Sequence, residues 1–294
     1  MKQTKAQSIF FLFLAAFIWG TAFSAQKFAA ESGVGNFYFN GVRFFIGALS
    51  LLPVVAIFSR KKLQIKQTVP GALAAGAVLF CASNLQQFGI DITQSAGKAS
   101  FITGLYIILV PIASWIVFRK KPARQVFFAA VIAAVGLYLI SVKPGEGMGS
   151  GDILLFVGAL FWTTHILVID RKAAGCDPIV FSLLQFVFAG MFSLIAAFLF
   201  ENVSLSALGG CIWPTLYTGV FSSGVAYTCQ ILGQRGTEPS RASIILSGEA
   251  LFGAISGVLL NGETESLEPR MLIGSLLIFG GILLSQYEKR KKEA

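Results

Sequence analysis

The sequence predicts an all-α polytopic membrane protein, with ten transmembrane helices arranged as two inverted five-helix repeats. Three observations predict it. Apolar runs long enough to cross a bilayer recur along the whole chain, Lys and Arg crowd into alternate connections, and the two halves carry matching short motifs in the same order.

Composition sets the class. Hydrophobic residues make up 55% of the 294 and charged residues only 13%, against about 25% charged in an ordinary soluble domain. The 28 Phe residues are bulky apolar groups suited to lipid tails. The net charge of +9 raises the question of nucleic acid. Its basic residues, however, sit in short clusters between apolar runs, such as Arg60-Lys61-Lys62 and Arg119-Lys120-Lys121. No basic face is left to follow a phosphate backbone, so no nucleic-acid partner is expected. Cysteines 81, 176, 211 and 229 form no CxxC pair, and three lie inside apolar runs, where cysteine acts as a small hydrophobe.

The spans follow in order. The first, at 7–27, follows Met1-Lys2-Gln3-Thr4-Lys5 and resembles a signal peptide at its start. It runs on to about Phe28 without a small-x-small cleavage site, so a retained helix is expected. Further spans are expected at 37–59, 69–90, 98–118 and 125–142, then at 153–169, 179–200, 211–233, 239–260 and 271–286. Each is near the 20 apolar residues that satisfy every backbone amide within one segment. Pro70, Pro178, Pro239 and Pro269 stand where helices should begin, and a first turn tolerates a missing amide hydrogen. Pro53 and Pro111 fall inside the second and fourth spans and should bend them.

Charge gives the orientation. One side collects Lys2, Lys5, Arg60, Lys61, Lys62, Lys66, Arg119, Lys120, Lys121 and Arg124. Arg171, Lys172, Arg235, Arg241, Lys289, Arg290, Lys291 and Lys292 complete it, 18 of the 23 basic residues. The other side holds Glu31, Asp91, Glu146, Asp152, Glu201, Glu263, Glu265 and Glu268. The sets alternate without a break only with ten spans and both termini cytoplasmic, as in a multi-pass inner (plasma) membrane protein.

The halves, 1–146 and 147–294, match at an offset near 143 residues. Phe17-Ile18-Trp19 recurs as Leu160-Phe161-Trp162, Gln86 with Gly89 as Gln230 with Gly233, and Lys98-Ala99-Ser100 as Arg241-Ala242-Ser243. Five spans per repeat is an odd number, so the second copy enters from the opposite face. Inverted repeats give a fold two related conformations about a site near the midplane.

These features resemble the EamA-like family of the drug/metabolite transporter superfamily over nearly the whole chain. The most specific pieces are Trp19-Gly20, the stretch from Ser240-Arg241-Ala242-Ser243 through Ser247-Gly248-Glu249, the Gly262-Glu263 pair, and the closing helix from Gly274 to Leu284. The resemblance implies a secondary transporter or exporter of amino acids, nucleosides or other metabolites. The family often has proline after the membrane glutamate. Here that residue is Ala250, which implies a less kinked ninth helix.

Polar residues inside the spans are the site candidates. Glu249 stands near mid-bilayer, where a charged carboxylate costs about 2.5–3.5 kcal/mol on insertion scales. It must pair or take a proton, so its two readings are proton coupling or substrate contact, and a hydrogen bond between helices. His165, the single histidine, shares a helix face with Trp162, and both a relay and a satisfied buried ring fit it. With no second histidine, neither a metal nor a cofactor is expected. Asn84, Gln86, Gln87 and Gln230 suit substrate binding or helix–helix hydrogen bonding. Trp19, Trp162, Tyr106 and Tyr227 lie away from the interfacial belts, as cavity walls or as core. Arg43 and its counterpart Gln185, with Lys98 and Arg241, are read as gating or anchoring residues, Arg43 close enough to the outer end to snorkel. Gly253 with Gly257, and Ala72 with Gly76, are small-residue pairs for close helix approach.

No HExxH, Asp-rich or Gly-rich phosphate motif supports an enzyme, and no Walker motif supports ATP-driven pumping. The expected function is a secondary transporter, an exporter of amino acids or related metabolites by alternating access, with proton coupling through Glu249 one option. A facilitative uniporter, a channel and a receptor without flux are the alternatives. Its expected partners are a small-molecule substrate, protons if coupled, and the lipid bilayer. Substrate identity and oligomeric state stay open at this level.

Overall fold

The computed structural model describes residues 4–59, 65–119, 121–141, 148–261 and 269–287. Lys2, the Arg60-Lys61-Lys62 cluster, Lys120, Glu146, the Gly262-Glu263 pair, Glu265, Glu268 and the Lys289, Arg290, Lys291, Lys292 run lie outside the described residues. The chain is an all-α polytopic membrane protein. Its helices are α1 Lys5–Glu31, α2 Asn36–Phe58, α3 Ile65–Thr93, α4 Ala96–Gly104, α5 Tyr106–Phe118, α6 Arg124–Ser141, α7 Ser150–Lys172 and α8 Pro178–Phe200. The short α9 Leu205–Gly210 and α10 Ile212–Tyr217 lead into a π-helix, Thr218–Tyr227. α11 Thr228–Gln234, α12 Pro239–Leu246, α13 Glu249–Asn261 and α14 Pro269–Gln286 complete the fold.

Six helices are long and apolar enough to cross a membrane: Lys5–Glu31, Asn36–Ile57, Ile65–Thr93, Ala96–Phe118, Ser150–Lys172 and Pro178–Phe200. Arg124–Leu139 and Leu272–Gln286 are apolar but shorter. The segments expected at 211–233 and 239–260 are helical throughout most of their length, yet each is divided. The first passes through the π register, and the second breaks at Ser247 and Gly248.

Local signals set the ends. Thr4 caps α1 in a capping box with Gln7, and the Asp177 carboxylate accepts from the Ile179 and Val180 amides ahead of Pro178. Pro239 and Pro269 open α12 and α14 as expected. Pro70 does not open α3. That helix begins a turn earlier, at Ile65, and carries the proline near its start, where few intrahelical amide bonds are lost. α2 has no side-chain cap of its own at Gly35. Glu201 supplies one from the end of α8, its two oxygens accepting from the Phe37 and Tyr38 amides at 2.9 Å each.

Packing is inverted relative to a soluble protein. Large apolar groups such as Ile116, Phe128, Phe198 and Leu276 face outward, where lipid tails solvate them. Asn40, Asn84, Gln86, Gln87, Gln185 and Gln230 are buried, where only other helices can satisfy them. The main helix neighbours are α1 with α13 and α11, α7 with α3 and α4, α2 with α8 and the π-helix, α3 with α8, and α6 with α14.

One ion pair ties α4 to α7. Lys98 Nζ lies 2.9 Å from Asp152 Oδ2, and the Asp152 side chain is 2% exposed. The same oxygen accepts from the Gly149 amide at 2.7 Å, closing the start of α7. Removing the lysine strands a buried carboxylate. Lys98→Ala is expected to cost about 3 kcal/mol, the low end for breaking a buried pair, because the lysine keeps some exposure. Adding Asp152→Asn to it should recover most of the loss, read as thermal melting in detergent.

Candidate functional site

Ten helical elements converge on one small cavity of about 40 Å³, space for only a few waters at roughly 10–15 Å³ each. From α1 come Trp19, Phe23 and Gln26, spaced by four and three residues and so on one helix face. α2 contributes Arg43, α3 Gln86, α7 Trp162 with Ile166, the π-helix Ser222 and Tyr227, and α11 Gln230. Thr103 and Tyr106 flank the break between α4 and α5, and Leu246 and Glu249 flank the break between α12 and α13.

The walls are held by hydrogen bonds between helices. Tyr106 Oη donates to Glu249 Oε1 at 2.9 Å. Trp162 Nε1 donates to Gln86 Oε1 at 2.9 Å, and Gln86 Nε2 donates on to Gln26 Oε1 at 3.2 Å. Trp19 Nε1 donates to the Ser222 carbonyl of the π-helix at 3.0 Å. Tyr227 packs against Trp19 edge-on at 4.8 Å between ring centroids, and stacks near-parallel to Trp162 at 6.1 Å. The result is an aromatic wall with polar groups at fixed points. Two buried acceptors in this lining, Thr103 Oγ1 and Gln230 Oε1, have no partner. In an apolar medium such atoms are costly to leave unsatisfied.

Helix discontinuities bring Tyr106 and Glu249 together. α5 starts at Tyr106 after a turn at Leu105, and α13 starts at Glu249 after Ser247 and Gly248. The Gly248 amide bonds back to the Ile245 carbonyl at 3.1 Å, a tightened turn. Ala250 in place of proline therefore does not leave this helix continuous, because Gly248 supplies the weak point. The π-helix lies against α2. A Cβ on Gly47 of α2 would come within 2.7 Å of Ser223 Cβ and 3.0 Å of the Gly219 carbonyl, so small residues on both sides allow the contact. π segments often mark functional positions.

Of the remaining candidates, Arg43 lines the cavity and the others lie away from it. Arg43 does not snorkel: it is 2% exposed and reaches the cavity instead of the surface. Its Nε donates to Asn40 Oδ1 at 2.7 Å, and its guanidinium sits 4.9 Å from the Phe44 ring centre. Asn84 stands one step behind, accepting from Asn40 Nδ2 at 2.9 Å and donating to Ser193 Oγ at 3.0 Å. His165 and Gln185 are buried against each other at 3.2 Å, with the imidazole edge on Tyr227 at 5.8 Å. Lys98 is in its pair with Asp152, and Arg241 pairs with Glu238 at the start of α12, so neither lines the cavity. Gln26, Thr103 and Ser222 are lining residues that the sequence reading passed over. Gln26 was accessible to it, two turns along the face of Trp19. Ser222 is tied to the wall by its carbonyl, which accepts from Trp19, and a backbone contact leaves no side-chain signal.

A profile of the EamA-like transporter family matches the chain twice, at residues 6–142 and 149–287. The chain belongs to the EamA-like transporter family. An uncharacterized transporter of Archaeoglobus fulgidus is 31% identical, the match covering 93% of this chain and 83% of that one. The uncharacterized transporter YwfM of Bacillus subtilis is 24% identical over 96% of this chain and 95% of its own. Protein PagO of Salmonella typhimurium is 25% identical over 95% and 92%. A solved crystal structure of a protein shares the fold, with a TM-score of 0.79 at 16% identity over 96% of this chain and 97% of that one. As an EamA-like protein the chain moves small solutes across a membrane. It is a transporter, not an enzyme.

Proposed function

We propose that this EamA-like protein is a secondary exporter of amino acids or related small metabolites, working by alternating access between two inverted five-helix repeats, residues 1–146 and 147–294. It acts in the inner membrane with both termini cytoplasmic. The observation that carries the reading is the Tyr106–Glu249 hydrogen bond, whose partners are 143 residues apart. That separation equals the repeat offset, so equivalent positions of the two halves meet across the cavity, each at the start of a broken helix. The helix neighbours obey the same exchange. Moving each element by the offset turns the α1–α13 contact into α7–α5 and the α2–π-helix contact into α8–α3, and returns α2–α8 and α6–α14 to themselves. The two family matches, at 6–142 and 149–287, support the same division.

The cavity then switches between faces. Substrate enters from the cytoplasm between the aromatic wall and the polar groups, the halves rock, and the outer side opens. Glu249 exchanges a proton with each passage, and its hydrogen bond to Tyr106 breaks and re-forms as the halves move. A cavity of only a few waters' volume suits a contracted state of this cycle, from which either side opens to admit solute.

Proteoliposomes loaded with labelled amino acids and nucleosides test this. Saturable efflux, with trans-stimulation by unlabelled solute outside, is the expected result for a carrier. Efflux linear in concentration and without trans-stimulation would identify a channel, and binding without flux a receptor.

A further inference from the structure

We propose that the cavity recognises a zwitterion, with Arg43 receiving the α-carboxylate and Glu249 the α-ammonium group. This rests on the carrier reading and names its substrate class. Arg43 and Glu249 are 2% and 4% exposed, and both line the same cavity. Among the described residues no ion pair joins them to each other or to any other side chain. A buried cation and a buried carboxyl group thus share one small space, each without an opposite charge. Such groups are costly to keep apart in a membrane protein unless a ligand completes them.

The geometry fixes what each is ready to hold. Asn40 takes the Nε–H of Arg43 at 2.7 Å, and Asn40 is itself held by Asn84, which is tied to Ser193. The guanidinium is therefore anchored by one edge and by the Phe44 and Phe39 rings at 4.9 and 5.6 Å. Its two Nη groups are left for a bidentate partner, the arrangement a carboxylate matches. Glu249 has one oxygen engaged by Tyr106 and the other available to an ammonium donor. Thr103 Oγ1 and Gln230 Oε1, buried and without partners, add further acceptors in the lining. A solute carrying both charges neutralises the site, whereas an anion or a cation alone leaves one protein charge uncompensated. Asn40 and Asn84 are positioning residues, acting only through Arg43.

The test uses the full-length protein in liposomes, with efflux of the 20 proteinogenic L-amino acids, adenosine and uridine. For each amino acid that moves, the carboxamide and the deamino acid follow. Zwitterions are expected to outcompete both analogues by about thirtyfold or more, as for removal of one side of a buried charge pair. Arg43→Gln should abolish the preference over the amide and keep that over the deamino acid, and Glu249→Gln should do the reverse. Because Arg43→Gln carries a risk of misfolding, the analogue series on the unaltered protein stands by itself. Amides carried as well as acids would overturn the proposal. Saturable flux of a nucleoside with none of any amino acid would overturn it too, while leaving the carrier reading intact. No saturable flux of any of these probes would count against both.

Discussion

Glu249→Gln is expected to abolish the response of efflux to a pH gradient while leaving a folded protein that still exchanges solute. The side chain is nearly isosteric, and its carbonyl oxygen can accept the Tyr106 hydroxyl that now bonds Glu249 Oε1 at 2.9 Å. The break between α12 and α13 should survive, since it rests on Gly248 and the tightened turn around it. What disappears is the proton. One proton exchanged per solute across one pH unit adds about 1.4 kcal/mol, or roughly tenfold in the steady-state concentration ratio. The unaltered protein should show that tenfold rise, and the variant none. Tyr106→Phe separates geometry from chemistry. It removes the hydroxyl but keeps the carboxyl group, so coupling should persist at a reduced rate. A variant at Glu249 that keeps its full gradient response would reduce this residue to a strut between the halves and leave a uniporter. The readout is solute accumulation against imposed pH difference, which a change in expression or folding alone does not mimic.

The sequence made some parts of this arrangement legible for definite physical reasons. A bilayer forces long apolar runs and a charge bias on the chain, so helix positions and connections could be read. Trp19, Gln86, Tyr106, Trp162, Tyr227, Gln230 and Glu249 stood out because aromatic and polar groups within an apolar run need a reason, and the structure gathers all seven around one cavity. Rotation of each helix about its own axis is set by packing, which a single sequence does not encode plainly. His165 shares a face with Trp162, yet that face is wide enough for one ring to meet the cavity and the other to meet Gln185. Sequence left Arg43 open between gating, anchoring and snorkelling, because depth along a helix can be read from it and the direction of a side chain cannot. The π-helix Thr218–Tyr227 packs closely against small residues of another helix, Gly47 among them, a long-range contact that no local pattern announces. Lys98 and Arg241 match in sequence but differ in place, since Lys98 meets Asp152 across helices while Arg241 meets Glu238 three residues before it.

Gly20→Ala is expected to impair folding and transport, whereas Gly253→Ala at the same helix crossing should be tolerated. The GxxxG pattern of Gly253 and Gly257 points to α13 as the helix that needs small residues. The tight side of the crossing is α1. A Cβ on Gly20 would lie 2.5 Å from the Glu249 carbonyl oxygen, 2.5 Å from Phe252 Cβ and 2.8 Å from the Gly253 amide nitrogen. None of these is the end of a flexible side chain, so the helices themselves must separate. Overpacking of this kind costs typically about 1–3 kcal/mol. Here it also displaces Trp19 and Glu249, which adjoin the crossing and line the cavity. A Cβ on Gly253 would meet the Gly20 carbonyl oxygen at 3.4 Å, ordinary contact. Gly280→Ala, on an outward face of α14 with nothing within 4 Å, serves as control and should be neutral or stabilising by up to about 1 kcal/mol through helix propensity. Thermal melting in detergent and saturable efflux are the readouts. Equal tolerance at Gly20 and Gly253 would mean that α1 and α13 can slide apart without cost, and the contact between the two halves at this crossing would then not be what fixes Glu249 in place.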